Sequence, residues 1–284
     1  MHEILHHLSD MFKENIRLKI GSIMIIAFVL IGFVISFFAP FNPEKWNLFP
    51  RDLPPSLKHI LGTSSLGQDV FWFLTFAIRN SLLIGIIVAS IGTVVGVIVG
   101  LIAGFYGGLV DRIIMTLTDA FIATPALPVL ILLGAIIKGK STIIILSLII
   151  AIFNWAWPAR QVRAMSLSLR EMNFVNVAKF SGMGTMEIVF SDIIPHILPW
   201  AAANFTNTVL VAIGTEAGLA ILGLTTLEKA TLGSLLYWSL QHQAMFRGIW
   251  WWIAPGVLSI VLIIVSLFLF STGLSSYLSA RRLR

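Results

Sequence analysis

Residues 80–110 read NSLLIGIIVASIGTVVGVIVGLIAGFYGGLV, without one Asp, Glu, Lys or Arg. A helix rising about 1.5 Å per residue needs about 20 apolar residues to cross about 30 Å of hydrocarbon, so this stretch can span a bilayer. Further uncharged stretches follow outward from it at 20–43, 120–137, 141–159, 193–215 and 248–280, each able to hold one crossing. Strands of a membrane barrel alternate in polarity over about 10 residues, and runs such as Ile143 to Phe153 do not alternate. The pattern predicts an all-α integral membrane protein with six transmembrane helices. Composition points the same way: 57% of the 284 residues are hydrophobic and 11% charged, whereas a soluble domain carries about 25% charged residues.

Six crossings place both termini on one side, and cations choose the side, because Lys and Arg accumulate in cytoplasmic loops. Eleven of the 19 lie in the N-terminal segment (Lys13, Arg17, Lys19), the turn with Arg112, the 160–192 loop (Arg160, Arg163, Arg170, Lys179) and the tail (Arg281, Arg282, Arg284). Both termini are expected to be cytoplasmic, in a multi-pass protein of the cell membrane. The net charge of +6 is thus a topology signal. With no basic run and no aromatic-interleaved basic face, no nucleic-acid partner is expected. The absence of cysteine excludes disulfides, thiolate metal sites and cysteine nucleophiles.

The chain divides into a cytoplasmic amphipathic segment at 1–19, a first transmembrane helix at 20–43, an external segment at 44–79, and a domain at 80–280 holding the other five spans. No small-residue cleavage site follows the first apolar stretch, and Glu3, Asp10 and Glu14 precede it, so it reads as a retained anchor. In the second span Gly92, Gly96, Gly100 and Gly104 recur every four residues along one helix face. Such a stripe lets a neighbouring backbone approach closely in lipid. Pro125 and Pro128 predict a kink or unwound turn in the third span. The 160–192 loop interleaves apolar residues with charges around Gly182 and Gly184, which predicts two short helices forming a cytoplasmic knob for a soluble partner.

Chemical motifs are scarce. Gly134 to Ser141 fits G-x-x-x-x-G-K-[ST], but that phosphate loop works between a strand and a helix of a sheet domain, and both flanks here are apolar spans. The six histidines form no H-E-x-x-H, and His2 with His6 is a poor ligand pair. No G-x-S-x-G occurs either, so neither a resident metal nor an enzyme is expected. Two carboxylates fall at or in spans, Asp119 and Glu216, and each should face a cavity, a partner or an interface. Asp119 reads as structural near the cytoplasmic interface, and Glu216 as a hydrogen-bonded tie near the external end.

At the cytoplasmic loop, Arg170-Glu171-Met172-Asn173-Phe174-Val175-Asn176-Val177-Ala178-Lys179-Phe180-Ser181-Gly182, followed by Ile193-Ile194-Pro195, resembles the EAA loop of ABC importer permeases in its dipeptide/oligopeptide form. The resemblance implies a coupling helix seated on an ATPase subunit, with Arg170, Glu171, Phe174, Val175, Ala178 and Gly182 matching the motif and Asn176 and Lys179 lying within it. Two positions depart: Asn176 stands where the family has a Glu, and Asp192 where it has a His. Elsewhere, Leu61-Gly62-Thr63 with Leu66-Gly67-Gln68-Asp69-Val70, then Arg79-Asn80-Ser81-Leu82, Thr124-Pro125-Ala126-Leu127-Pro128, Glu216-Ala217-Gly218-Leu219 and Trp251-Trp252-Ile253-Ala254-Pro255-Gly256 are similar to family motifs in the same order. Nearly the whole chain is covered, in the arrangement of the second, C-type permease.

The resemblance implies a type I ABC importer permease forming half of a translocation pore. A homologous permease subunit would complete the pore, two ABC ATPase subunits would carry ATP and Mg, and an extracytoplasmic solute-binding protein would deliver a di- or oligopeptide. No cofactor is expected on this chain. The family also includes importers of oligosaccharides and nickel chelates. From the residues alone, an ion-coupled secondary transporter and a channel or scaffold subunit stay open.

Overall fold

The computed structural model describes residues 15–137 and 142–282, in which regular structure is helical apart from one bridging pair, Thr63 with Asp69. Helix α1 (Ile16–Val29) continues through a π turn, Leu30–Val34, and a 3-10 turn, Ile35–Phe38. Asn15 caps it, its side-chain oxygen accepting the Arg17 and Leu18 backbone N–H groups at 3.1 and 3.3 Å. The first span thus begins upstream of residue 20 and stops before Pro40. Arg17 and Lys19 sit within its first turn, where long side chains reach the polar layer. Of the amphipathic segment expected at 1–19, residues 1–14, with His2 and His6, lie outside the described residues.

Helix α2 (Val70–Tyr106) starts ten residues before the uncharged stretch, so the external segment drawn to residue 79 ends at 69. Asp69 sets the boundary by accepting the Trp72 N–H at 3.1 Å. Arg79 does not interrupt the helix, because its guanidinium lies 4.2 Å from the Phe76 ring centroid. The chain continues through α3 (Gly108–Ala123), α4 (Ala126–Ile137), α5 (Ile143–Asn154), α6 (Ala156–Arg170) and α7 (Asn173–Phe180). Then α8 (Thr185–Ile188) runs through a π turn into α9 (Ile194–Ile221), followed by α10 (Leu232–Gln241) and α11 (Trp250–Arg282). Ile16–Phe38, Val70–Tyr106, Thr185–Ile221 and Trp250–Tyr277 are each long and apolar enough to cross a membrane. The pairs α3–α4, bent by 77°, and α5–α6, bent by 42°, pass the same test together, which gives up to six crossings when each bent pair is one span.

Both bends have local causes. Thr124 takes φ −74° and ψ 123°, the extended conformation that a following proline imposes, here Pro125. Pro128 sits in the first turn of α4, where the missing N–H has no intrahelical partner to lose. The kink expected from both prolines therefore belongs to Pro125 alone. Between α5 and α6, Pro158 removes the N–H that would bond the Asn154 carbonyl, and the axis turns at Trp155.

Helix α2 is the hub. The α5–α6 pair runs parallel to it, Asn154 against Gly92 and Ser166 against Gly104. Helix α9 runs antiparallel, with Asn204 Nδ2 donating to Thr93 Oγ1 at 3.2 Å and Val209 packed on Gly85. Helices α1 and α11 pair through Gly21 and Gly273, and Asn15 Nδ2 donates to the Gly273 carbonyl at 3.1 Å.

One end of the bundle is closed by residues 39–69, an ordered cap. His59 Nδ1 meets buried Asp69 Oδ2 at 2.8 Å, and Thr63 Oγ1 donates to the Pro50 carbonyl at 2.7 Å. Gly62 and Gly67 turn the chain at φ +65° and +69°. The cap is fastened to the span ends by Glu44, which accepts from Lys229 Nζ and the Ala230 N–H at 3.0 Å each, and by Asp52, which meets Arg247 at 2.6 Å.

The opposite end holds the 160–192 segment, and the two-helix knob expected there is smaller. Residues 160–170 finish α6 and 185–192 begin the continuous run into α9, leaving α7 as the one short helix. Of the segment's apolar residues, Leu169, Ile188 and Ile193 lie on the inner faces of these two long helices and Val175 and Ala178 on the inner face of α7, whereas Phe180 and Phe190 are exposed.

Candidate functional site

Helix α7 hangs between the ends of α6 and α8. Val175 and Ala178 are buried in a cluster with Leu101, Val162, Leu169, Ile188, Ile193 and Ile197. Burying a valine contributes about 1.5–3 kcal/mol, so these two residues fix the helix to the bundle. Phe174 stacks on the His196 ring, centroids 5.1 Å apart and planes within 12°. Arg170 points back to the bundle: Nη1 donates to the Phe105 carbonyl at 3.2 Å and Nε to Glu171 at 3.1 Å, which satisfies an end carbonyl of α2.

The other face of α7 is open. Asn176 and Lys179 are exposed there beside Val177 and Phe180, the latter 92% exposed. Gly182 ends the helix at φ +83°. The Gly182 and Met183 N–H groups return to the Lys179 and Ala178 carbonyls at 3.1 Å each, the arrangement that calls for a left-handed residue after a helix. The motif residues thus separate: Val175 and Ala178 hold the helix and Arg170 ties the end of α6 to α2, while Glu171, Asn176, Lys179, Val177 and Phe180 are exposed. Val177 was not singled out in the sequence, and Phe180 was read only as one of the loop's apolar residues; their place in the helical period is legible but the covered side is not.

Gly92, Gly96, Gly100 and Gly104 form the seam between α2 and α5–α6. A Cβ at these positions would lie 2.9 Å from the Asn154 carbonyl, 2.5 Å from Pro158 Cβ, 2.5 Å from the Ala159 carbonyl and 2.7 Å from the Arg163 carbonyl. The backbones touch, and only glycine permits it.

Across α6 from this seam, α3 is tied by two ion pairs. Arg163 reaches Asp111 with Nε at 2.8 Å and Nη2 at 2.5 Å, and Arg160 pairs with Asp119. A single sequence carries no signal for Asp111–Arg163, whose members lie 52 residues apart. Glu216 is fully buried near the capped end. Its Oε1 accepts from Thr231 Oγ1 at 2.8 Å, and its Oε2 has no partner at hydrogen-bond distance. Thr231 is also the cap of α10, so the carboxyl sits at a helix N-terminus, whose partial positive charge favours an acid. Gly134, first residue of the phosphate-loop pattern, lies inside α4, where a Cβ would meet the Leu224 carbonyl at 3.0 Å. Residues 138–141 of that pattern lie outside the described residues. Among the described residues, no three His, Asp or Glu side chains come together as a metal site would require.

A helical bundle with four to six candidate crossings, a capped end, close-packed glycine seams and a small amphipathic helix at the other end is the build of an integral membrane protein. Residues 96–284 match the family of binding-protein-dependent transport system inner membrane components, and the chain belongs to that family. The oligopeptide transport system permease protein OppC of Bacillus subtilis (strain 168) is 36% identical over 214 residues, 75% of this chain and 69% of that one. OppC of Lactococcus lactis subsp. cremoris (strain SK11) is 28% identical over 269 residues, 94% of this chain and 91% of that one. The dipeptide transport system permease protein DppC of Bacillus subtilis (strain 168) is 30% identical over 214 residues, 75% of this chain and 66% of that one. The ABC-permease resemblance read from the sequence, with its C-type arrangement, is borne out.

Proposed function

We propose that this chain is one of two related permease subunits enclosing the path of an ATP-driven importer of short peptides, and that α7 is where the ATPases act. The solute follows from the relatives, which are named oligopeptide and dipeptide permease proteins. The observation that carries the docking role is the split character of α7: one face clamped into the bundle, the other presenting exposed Val177 and Phe180 beside Asn176 and Lys179. An exposed aromatic such as Phe180 belongs to the residue class enriched at protein interfaces.

Orientation follows the cations, which favour placing α7 and both termini in the cytoplasm. The cap then faces outward, where a binding protein delivers the peptide. ATP and Mg reside on the two partner subunits. When those subunits close, the push on α7 passes to α6 through buried Val175 and Ala178 and through Arg170. It then crosses to α2 along the glycine seam, where touching backbones leave no slack, and the bundle tilts between its two facing states.

The test is Phe180→Asp in the complete complex. A buried charge at an interface costs about 2–5 kcal/mol, so the ATPase subunits should be lost on purification and ATP-driven uptake with them, while the chain still inserts. Retention of both ATPase subunits by this variant overturns the docking assignment. Uptake driven by an ion gradient in vesicles holding this chain alone overturns the importer reading.

A further inference from the structure

Helices α1 and α11 leave one broad side uncovered by the rest of the chain. From Ile20 to Phe38 every exposed residue of α1 is apolar, and from Trp250 to Phe268 so is every exposed residue of α11. Ser22, Ser36, Ser259 and Ser266 turn inward and are buried. A surface that hides its hydroxyls and shows only hydrocarbon has lipid as its solvent. Each stretch rises about 27 Å, close to the hydrocarbon thickness of about 30 Å. Exposed Arg17 and Lys19 lie just beyond one edge of this wall. The other edge is aromatic, with Phe37, Phe38 and Trp250 exposed, as belts at a membrane–water interface are. Gly21 against Phe270 sets the register of the two helices, and by it the aromatic ends agree in height to within one helical turn. The wall thus locates the edge of the hydrocarbon at the capped end.

Just past that edge, two hydrogen-bonded turns hold out large apolar side chains. In the turn before α11, Ala244 and Ile249 are buried and joined, the Ile249 N–H donating to the Ala244 carbonyl at 2.8 Å, while Met245 and Phe246 are exposed, Phe246 by 92%. Arg247 ties this turn to the cap through Asp52 and Ser65. In the cap, the His59 carbonyl accepts the Ser56 and Gly62 N–H groups at 2.8 and 2.9 Å, which leaves Leu57 and Ile60 exposed at the tip. Trp251 Nε1 donates to the Thr63 carbonyl at 3.2 Å and so sets this tip beside the start of α11. The nearby carboxylates are taken, Asp52 by Arg247, Asp69 by His59 and Glu44 by Lys229, and exposed Lys58 has no acidic partner among the described residues. We infer that the 244–249 and 56–60 turns form a seat in the lipid headgroup layer at the capped end, with Met245, Phe246, Leu57 and Ile60 reaching the first acyl carbons and Lys58 meeting an anionic phospholipid. The patch continues the lipid-facing wall, and a lone cation beside apolar side chains suits a surface of phosphates over hydrocarbon. Through Arg247 and Trp251 the seat fixes the height of the cap over the bilayer, whatever solute the protein carries.

Because the chain has no cysteine, Phe246→Cys and Leu57→Cys can each carry a fluorescent bimane label in the complete complex, its other subunits cysteine-free, in nanodiscs. Both labels should lose emission when the lipid carries bromine on the acyl carbons next to the glycerol, as Val261→Cys within the wall should with bromine deeper in the chain. At Leu57→Cys, phosphatidylglycerol with a nitroxide on its chain should reach half-quenching at about fivefold lower mole fraction than phosphatidylcholine with the same nitroxide, the weight of one cation at a lipid surface. Adding Lys58→Gln should remove that difference. Emission untouched by brominated lipid in both variants overturns the seat. Emission untouched by lipid but altered when the binding protein loaded with trialanine is added gives the patch to that protein and overturns the seat equally. Quenching by lipid with equal half-points for the two headgroups supports the seat and overturns Lys58 as the phosphate partner.

Discussion

Gly100→Ala tests whether backbone contact holds α6 to α2. The added Cβ would lie 2.5 Å from the Ala159 carbonyl, 2.7 Å from Val162 Cβ and 2.9 Å from the Arg163 nitrogen. Two of these are backbone atoms within α6, so relief requires the helices to part by several tenths of an ångström. Overpacking of this kind costs about 1–3 kcal/mol, and with two neighbours unable to rotate away the upper part of that range applies. Alanine returns about 1 kcal/mol as the better helix former, leaving a net loss of about 1–2 kcal/mol, or about 5- to 30-fold in the unfolding equilibrium. Gly218→Ala on α9 is the counterpart, since nothing lies within 4 Å of its added Cβ and only the helix-forming gain remains. Denaturant titration of both variants of the purified complex in detergent should place Gly100→Ala below wild type and Gly218→Ala at or above it. A Gly100→Ala variant as stable as Gly218→Ala would refute the contact argument.

Two further outcomes follow from single positions. Gly182→Val places a β-branched residue at φ +83° with nothing within 4 Å of its Cβ, a strain of about 1–3 kcal/mol confined to the end of α7; the complex should insert and hydrolyse ATP while uptake per ATP falls, and an unchanged ratio measured in proteoliposomes counts against coupling through this turn. Glu216→Ala strips the buried acceptor from Thr231 Oγ1 and should destabilise by about 1–3 kcal/mol, while Glu216→Gln keeps an acceptor and should lie close to wild type; hydrogen exchange at α10 separates them, and equal exchange in both variants sinks the tie.

Some of this was legible from residue order alone. The six apolar stretches followed from length and apolarity, because the bilayer fixes how many apolar residues a helix must supply. A break at Pro125 and Pro128 and a glycine turn around Gly182 and Gly184 were legible because prolines and glycines act on their own neighbours; the structure assigns the break to Pro125 alone and the left-handed residue to Gly182. Helix ends were read less well. Charge marks where a span enters the polar layer, so Arg79 misplaced the start of α2 by ten residues, whereas the boundary belongs to the Asp69 cap. The 160–192 segment looked like an independent unit because its alternating pattern is the same whether an amphipathic helix stands alone or ends a span.

What the sequence determined by itself is therefore what one-dimensional physics controls: the long apolar stretches, the glycine stripe, a proline break in the third span and a family-like loop around residues 170–182. Tertiary structure decided which side of each stripe is used. It set the α2 glycines against the backbone of α6, split the loop motif into residues that anchor α7 and residues that face outward, paired Asp119 with Arg160 across 41 positions, and sealed Glu216 against Thr231. Those outcomes depend on which helices become neighbours, and neighbours are chosen by the packing of the whole bundle rather than by any one segment.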